Sequence, residues 1–224
     1  VKRIRGEGRR LGIFSGSFNP LTIAHVRMID QAQAEFNLEE ILLLLAKTNV
    51  DKSVFGFSLP DRLLMLTAYC VGREHFSVAA CSHGRYIDKI KALNMAYPPS
   101  TGYSFIVGYD TLVRLFDAKY YTQMHADLQL LFNQSRFITA NREKHDASAI
   151  AKLLATPTCK RYANNIDMIM LPKSHAEISS TTVRQRLLRQ DPIDHLVPGP
   201  ISEHIKATKL QPQLDESKQW KEGH

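Results

Sequence analysis

The segment GSFNPLTIAH, residues 16–25, has the composition of a phosphate-binding turn. Its glycine opens backbone angles closed to other residues, and its proline fixes one torsion and suits a helix entrance. We therefore expect a sharp bend that turns N–H groups into a cleft, where the next helix points its positive end and a histidine can donate to phosphate. The alternative is a capped turn with an incidental surface histidine. The residues concerned are Gly16, Ser17 and Phe18 through their amides, Thr22 at the helix start, and His25.

Basic side chains follow a second apolar run, ILLLL at 41–45. Lys52 lies a few residues beyond that run, so it can reach a phosphate in the same cleft. Arg62 lies in the first turn of the helix that opens with LPDRLLML, where the helix dipole gains nothing from a cation. We expect Arg62 to contact an anion, whereas Lys47 alone is better explained as a solvated lysine.

The segment IVGYD places Gly108 and Asp110 at the tip of another predicted strand. A glycine there permits close approach of a bulky ligand, and a carboxylate just beyond can accept hydrogen bonds from ribose hydroxyls. Asp110 is equally suited to cap the helix that TLVRLF would form. Taken alone, the segment leaves both interpretations open.

The segment EISSTTVRQRL, residues 177–187, places hydroxyl groups and a cation at a helix start. Hydroxyls and amides at a helix N-terminus bind phosphate or cap the helix. Capping accounts for one hydroxyl and leaves the others, with the cation, to an anion site. The hydroxyls belong to Ser179, Ser180, Thr181 and Thr182, and the cation is Arg184.

Six short apolar runs alternate with amphipathic stretches of helical period. Such alternation predicts a parallel sheet covered on both faces, and right-handed crossovers make it a doubly wound, Rossmann-like α/β fold. Ligands of these sheets bind beyond the carboxyl ends of the strands, which is where the four segments lie. We predict strands at 11–15, 41–46, 76–81, 103–108, 136–140 and 167–172, and helices at 24–36, 59–71, 86–96, 110–117, 145–155 and 180–190.

The composition suits one globular domain, since 44% of the 224 residues are hydrophobic. We expect that domain over 1–210 and a polar tail over 211–224. A formal charge of +7 fits either an ordinary basic surface or a phosphate-rich partner. Three widely spaced cysteines without a CxxC argue against a disulfide framework or a zinc site and indicate a reducing compartment, cytoplasmic and/or nuclear. The longest apolar run, ILLLLA, is far short of the ~18 residues of a membrane helix.

In order and position these segments resemble the nicotinamide/nicotinate mononucleotide adenylyltransferases of the HIGH-type nucleotidyltransferase superfamily. The family pattern GSFNPxTxxH, GxD, ISSTxxR falls on Gly16–His25, Gly108–Asp110 and Ile178–Arg184. LVPGPISEHI at 196–205 is similar to the family's closing helix, and the likeness runs from about residue 11 to 206. LLLLAKTNVDK, PDRLLML and VGYDTLVRLFDAKYY look closest to a divergent fungal, cytidylyltransferase-like branch.

The resemblance implies transfer of the AMP part of ATP to the 5′-phosphate of a mononucleotide, with release of pyrophosphate. It implies that His25 binds the ATP phosphates, that Lys52 contacts phosphate and that Asp110 binds the adenosine ribose. Catalysis would rest on positioning and electrostatics, without a covalent intermediate. Mg²⁺ would arrive with ATP, since no carboxylate pair is dedicated to it. The resemblance further places Ser179, Ser180 and Arg184 at the triphosphate, with Thr181 beside them, and Arg142 of TANRE near the adenine.

Two features depart from the family. The HxGH motif appears as Thr22-Ile23-Ala24-His25, so its second histidine is the one that matters. Relatives often stack the pyridine ring on a tryptophan shortly after GxD, whereas the one tryptophan here is Trp220, in the polar tail. Tyr121, or its neighbours Phe116 and Tyr120 in FDAKYY, would then provide the stacking face; the alternative is that these rings belong to the core.

The leading hypothesis is an enzyme that makes NAD from nicotinamide mononucleotide (NMN) and ATP. One alternative is an adenylyl- or cytidylyltransferase for another phosphorylated acceptor. Another is a weakly catalytic regulatory partner that binds or hydrolyses ATP. Binding to nucleic acid is disfavoured because no basic segment is interleaved with aromatic residues, and no membrane association is expected. The sequence leaves an oligomer open.

Overall fold

The computed structural model describes residues 9–47, 56–141 and 147–213. Within them the chain forms a six-stranded sheet in which every pairing is parallel. The strand order is β3-β2-β1-β4-β5-β6, so the direction of winding reverses between β1 and β4. This confirms the doubly wound fold predicted from the alternating pattern. The strands are β1 Arg10–Gly16, β2 Glu40–Ala46, β3 Phe76–Cys81, β4 Gly102–Gly108, β5 Ser135–Ala140 and β6 Ile166–Ile169.

Six helices match the predicted ones to within a few residues. They are α1 Ile23–Phe36, α2 Leu59–Cys70, α3 Tyr86–Asn94, α4 Tyr109–Leu115, α6 Ala147–Leu154 and α9 Ser180–Leu188. The closing helix implied by the resemblance is also present, and three helices were not predicted. These four are α10 Gly199–Thr208, α5 Met124–Gln134, α7 Pro157–Lys160 and α8 Lys173–Ala176.

The last strand is shorter than the predicted 167–172. Its ladder ends where Ala140, the last residue of β5, pairs with Ile169. Within the described residues β5 does not continue past that pair, and the apolar run MLP lies outside the sheet. The outer position of β6 therefore decides its length, and a single-sequence pattern carries no information about that position.

Apolar side chains pack on both faces of the sheet, in two separate clusters. The first cluster lies under α1, α2, α9 and α10 and includes Phe14 and Ile106. The second lies under α3, α4 and α5 and includes Ile13 and Phe105. Since successive residues of β1 and β4 alternate between the clusters, both faces of these central strands are buried and their runs are almost continuously apolar.

The segment after α10 returns to the body of the molecule. The N–H of Gln213 donates to the carbonyl of Gly56 at 2.8 Å, and Pro212 is buried. The start of the predicted polar tail is thus bound to the loop before α2. Residues 214–224 lie outside the described ranges.

No helix within the described ranges is long and apolar enough to cross a membrane. The three cysteines are unpaired thiols, and two of them, Cys81 and Cys159, are buried.

Candidate active site

The turn after β1 lies at the carboxyl edge of the sheet. Phe18 has a φ of 39°, in the left-handed region, whereas Gly16 does not. This corrects our expectation that Gly16 supplies the unusual backbone angle. A Cβ on Gly16 would lie 3.3 Å from the Phe18 ring, a tight contact that a shift of a few tenths of an ångström would relieve. The Phe18 side chain is buried, so only its backbone can contact a ligand.

Side chains from two helices hold the carbonyl groups of this turn. Each donor comes from a position far along the chain, so tertiary structure, not local sequence, fixes the turn. The side chain of Asn19 joins the turn to the chain before α2, since its Oδ1 accepts from the N–H of Phe57 at 2.9 Å. The donors are Arg62 Nη1 to Ser17 O at 2.8 Å, Arg184 Nη1 to Asn19 O at 2.6 Å and Ser180 Oγ to Pro20 O at 2.8 Å.

The imidazole of His25 has one nitrogen committed to the start of α1. Its Nδ1 accepts from the backbone N–H of Thr22 at 3.0 Å, and Thr22 Oγ1 lies 2.9 Å from the same atom. A nitrogen that accepts from a backbone N–H carries no proton, so the neutral ring carries its proton on Nε2. The rings of Phe14 and Phe18 flank it, with centroids 5.5 and 6.0 Å away. His25 is thereby fixed as an Nε2–H donor.

Thr22 is the N-cap of α1, and its side chain is fully buried. Its hydroxyl therefore contacts the imidazole of His25 and not the open cleft. This corrects the prediction that Thr22 binds substrate. The capped-turn alternative is right about Thr22, yet the cap is formed with His25, so the histidine is not incidental.

Arg62 lies beneath the turn instead of on its rim, which corrects its prediction as a direct phosphate contact. Only 2% of the residue is exposed, and its guanidinium donates to backbone carbonyls. Burial lowers the pKa of this guanidinium from its ordinary value. Among the described residues no carboxylate pairs with it.

The hydroxyl groups at the start of α9 have structural partners. Ser179 is the N-cap and accepts from the N–H of Thr182 at 3.1 Å, and its Oγ lies 2.9 Å from that residue's hydroxyl. Ser180 holds the turn, and Thr181 accepts from Arg184 Nη2 at 3.2 Å. Burial lowers the pKa of the Arg184 guanidinium. Capping and turn-holding thus explain more of these hydroxyls than we expected, and their contact with a triphosphate stays a prediction.

Gly108 and Asp110 open α4 at the tip of β4. Gly108 is the N-cap, and a Cβ placed on it would meet nothing within 4 Å. The space beside it is open, as close approach of a ligand requires. Asp110 is half-buried in the first turn and is not the N-cap, so the capping alternative does not explain it. Its contact with a ribose stays a prediction.

The aromatic rings of FDAKYY are largely committed to structure. Phe116 stacks on Phe132, with ring centroids 6.0 Å apart, and is partly buried against the second cluster. The hydroxyl of Tyr121 donates to Leu115 O at 2.6 Å, and burial raises its pKa. The Lys119 ammonium lies 4.7 Å from the ring centroid of Tyr120. The core alternative thus applies to Phe116 and in part to Tyr121, and pyridine stacking by Tyr121 stays a prediction.

Two predicted contacts, Lys52 and Arg142, lie outside the described residues. The residue before Arg142 is well fixed: Asn141 Oδ1 accepts from Leu171 N at 2.6 Å, and Asn141 Nδ2 donates to Leu171 O at 3.1 Å. Asn141 thereby joins the chain after β5 to the chain after β6, at the same edge of the sheet.

His25 and Arg184 both contact the turn after β1. His25 is bonded to Thr22 at its end, and Arg184 is bonded to Asn19 near its middle. Sequence reasoning missed Asn19 and Gly56, which lie against Arg184. A Cβ on Gly56, whose φ is 104°, would lie 2.6 Å from Arg184 Cδ and 2.8 Å from Asn19 Oδ1. Asn19 stands inside the quoted motif and could have been singled out, whereas Gly56 carries no local signal.

No group of three or more His, Cys, Asp or Glu side chains with metal-binding geometry occurs in the part of the chain that the structure describes. The site is instead built from backbone amides, cations and an imidazole. Such donors suit oxygen anions, and phosphate oxygens above all.

Comparisons with known proteins point to one group. The sequence profile of the cytidylyltransferase-like family matches residues 13–186. A Schizosaccharomyces pombe protein, named as a nicotinamide mononucleotide adenylyltransferase, is 27% identical over 205 residues, which are 85% of this chain and 81% of that protein. A Synechococcus protein, named as a nicotinate-nucleotide adenylyltransferase, is 28% identical over 209 residues, covering 90% of this chain and 94% of that one.

Solved structures agree on the fold. Plasmodium falciparum nicotinic acid mononucleotide adenylyltransferase complexed with NaAD superimposes with a TM-score of 0.67 at 18% identity, covering 90% of this chain and 97% of that one. The same enzyme complexed with APC gives a TM-score of 0.65 at 17% identity, over 90% and 96% of the two chains.

Proposed function

Because this chain belongs to the cytidylyltransferase-like family, we propose that it transfers AMP from ATP to the 5′-phosphate of nicotinamide mononucleotide, giving NAD and pyrophosphate. The observation that carries the proposal is the convergence of His25, Arg184 and the turn after β1 on one end of the sheet. The names of the relatives support the same reaction.

In this proposal the reaction is a direct displacement. An oxygen of the acceptor phosphate attacks the α-phosphorus of ATP, a P–O bond forms, and the bond to pyrophosphate breaks. The attacking phosphate is already an anion, so no base has to remove a proton. The protein lowers the barrier by holding both phosphates in line and by stabilising the charge that moves to the leaving group.

The residue roles follow from the donors at the turn. His25 donates from Nε2–H to an ATP phosphate, and the amides of Gly16, Ser17 and Phe18 hold a substrate phosphate. Asp110 accepts from the adenosine ribose. The phosphate cations are Lys52 and Arg184, the hydroxyls beside the triphosphate are those of Ser179, Ser180 and Thr181, Arg142 lies near the adenine, and Tyr121 lies at the pyridine ring.

Mg²⁺ belongs to the proposal as a companion of ATP. The donors at the turn are N–H groups and cations, which suit the anion and not the metal, so the ion would bind through phosphate oxygens and water. Its contribution is to neutralise charge on the triphosphate.

The amide or acid form of the acceptor is the open choice within this function. The fission-yeast relative is named for the nicotinamide nucleotide, and the Synechococcus relative is named for the nicotinate nucleotide. We propose the amide as substrate and the acid as the second candidate. We further propose one catalytic domain over 1–210, acting in the cytoplasm or nucleus.

One assay tests the function. The full chain is incubated with ATP, Mg²⁺ and either NMN or nicotinate mononucleotide, and dinucleotide and pyrophosphate are quantified together; CTP in place of ATP is the matched control. We expect equal amounts of dinucleotide and pyrophosphate with ATP. Tight ATP binding without product from either acceptor would favour the regulatory alternative and reject the proposal.

A further inference from the structure

Arg62 is a buried cation that the reaction, as proposed above, does not use. Its Nη1 donates to Ser17 O at 2.8 Å and to Ala46 O at 3.4 Å, and its Nε donates to Ser58 O at 3.4 Å. The guanidinium thus joins the turn after β1, the end of β2 and the start of α2. In the described part of the chain it has no carboxylate partner, and burying such a cation is costly, whereas neutral hydrogen-bond donors could tie these segments together at a lower cost. A purely structural role therefore does not explain why a charged side chain occupies position 62.

We propose that Arg62 is a positioning residue for nucleotide phosphate, acting through the peptide that joins Ser17 to Phe18. That peptide is trans, so its carbonyl and its N–H point in opposite directions. With the carbonyl held by the buried guanidinium, the N–H of Phe18 faces away from the protein interior. Within the described ranges this N–H has no hydrogen-bond acceptor, so it is available to an anion.

The backbone conformation of Phe18 has to be stabilised by contacts such as the one from Arg62. Its φ of 39° is unfavourable for a residue with a side chain and persists only where the surroundings fix it. The guanidinium also places a full positive charge behind the outward N–H, which strengthens the site for an anion because little solvent screens it. The backbone geometry at Phe18 and the electric field of the Arg62 guanidinium thus both favour binding of an anion at this N–H.

This inference rests on the proposed function for its kinetic test, but its binding test does not. A purely structural role predicts that variants of Arg62 lose stability while the folded protein keeps its affinity for ATP. A positioning role predicts weaker binding of ATP and of tripolyphosphate by folded protein, with the KM for the acceptor changed far less than kcat.

The experiment compares Arg62→Met, Arg62→Lys and Arg62→Ala. Arg73→Met is the matched control, since Arg73 follows the same helix and donates to a backbone carbonyl, Tyr69 O, at 2.5 Å from an exposed position. ATP and tripolyphosphate affinity is measured by calorimetry at a temperature where circular dichroism shows each variant folded. Kinetic constants and melting temperatures are measured in parallel.

We expect Arg62→Met to weaken ATP and tripolyphosphate at least about tenfold, as loss of a preorganised charge-stabilising donor does, and Arg62→Lys to recover part of the affinity. Sub-denaturing guanidinium should restore binding to Arg62→Ala, where it can enter the vacated space, and should leave Arg73→Met unchanged. Unaltered affinity for both anions in folded Arg62→Met would overturn the inference. Rescue of Arg62→Ala by guanidinium would also overturn the inference if sodium chloride had the same effect, because ionic strength would then be the cause. Absence of product from the wild-type chain would reject the proposed function alone.

Discussion

At the scale of single residues, the imidazole of His25 becomes a donor because its other nitrogen is already an acceptor. The same N-cap contact that starts α1 selects the proton position that phosphate chemistry needs. From the sequence alone the segment suggested a histidine near a phosphate but gave no reason for one tautomer, since that depends on the bond to the Thr22 N–H.

Replacing His25 with alanine removes that donor. We expect kcat/KM for ATP to fall about 100-fold or more, the usual range for loss of one charge-stabilising donor, and the melting temperature to fall by about 2–4 °C because the N-cap contact of α1 is also lost. Steady-state kinetics with varied ATP check this. His75→Ala is the control, since His75 is exposed and precedes β3. Full activity in His25→Ala would remove the histidine from the mechanism.

Lys89 sets a pH dependence of stability. The residue is 5% exposed, its Nζ donates to Gly84 O at 3.0 Å, and burial lowers its pKa from 10.5 to about 8. Below pH 8 both the folded and unfolded chains hold the proton, so folding bears the whole cost of burying the charge. Between pH 8 and 10.5 the unfolded chain binds more protons, so this contribution to stability rises with pH.

We therefore expect Lys89→Met to stabilise the fold by up to about 3 kcal/mol at pH 7, with the gain fading as the pH approaches 10.5. Urea denaturation of both chains across that range measures it. Lys91→Met is the control, because Lys91 is exposed on the same helix. A stability difference that does not vary with pH would show that Lys89 is not buried as a cation.

At the scale of elements, the carboxyl ends of the strands could be located from the alternation of apolar runs and helices. Five of the six strands have the predicted bounds to within one residue at either end. It could not show what each side chain contacts at those ends. Arg62 fits a rim position by its place in α2, yet its length carries the guanidinium under the turn. The helix α5 carried a signal that we did not use, since Leu128, Leu131 and Phe132 have helical spacing and are buried.

The loop before α2 shows how a distant glycine shapes the site. Gly56 and Gly72 both have positive φ, 104° and 74°, so alanine costs about 1 kcal/mol of backbone strain at either position. Only at Gly56 does a Cβ collide, with Arg184 and Asn19. We expect Gly56→Ala to raise the KM for ATP about tenfold or more, through displacement of charged-group contacts, and Gly72→Ala to leave it unchanged. Steady-state kinetics of the two variants, measured at the same folded fraction, test this expectation. Equal KM values for ATP would show that the turn tolerates the displacement.

At the scale of the whole molecule, one sheet separates two apolar clusters and belongs to both. Its central strands are buried on each face and contribute side chains to both clusters, so neither cluster can unfold without disrupting the packing of the other. The alternating pattern predicted this architecture. It did not predict how the site depends on it, because the residues that hold the turn come from helices on the first face only.

A cavity in either cluster should therefore lower the stability of the entire fold. We expect Leu66→Ala and Leu128→Ala, at fully buried positions of opposite clusters, each to cost about 2–5 kcal/mol in a single cooperative transition. Near-ultraviolet circular dichroism and loss of ATP binding should coincide on heating. Leu64→Ala is the control, since Leu64 is 54% exposed. Two separate transitions would divide the chain into independent units.

The hydrogen bond from Arg184 to Asn19 spans 165 positions of the chain. On a ribosome, β1 to β5 and the helices between them emerge well before that arginine and Ser180 do. A growing polypeptide can thus assemble most of its sheet while the turn after β1 still lacks two of its three carbonyl donors. A chain interrupted before Ser180 would therefore contain all six strands but lack two of the three side-chain donors that hold this turn.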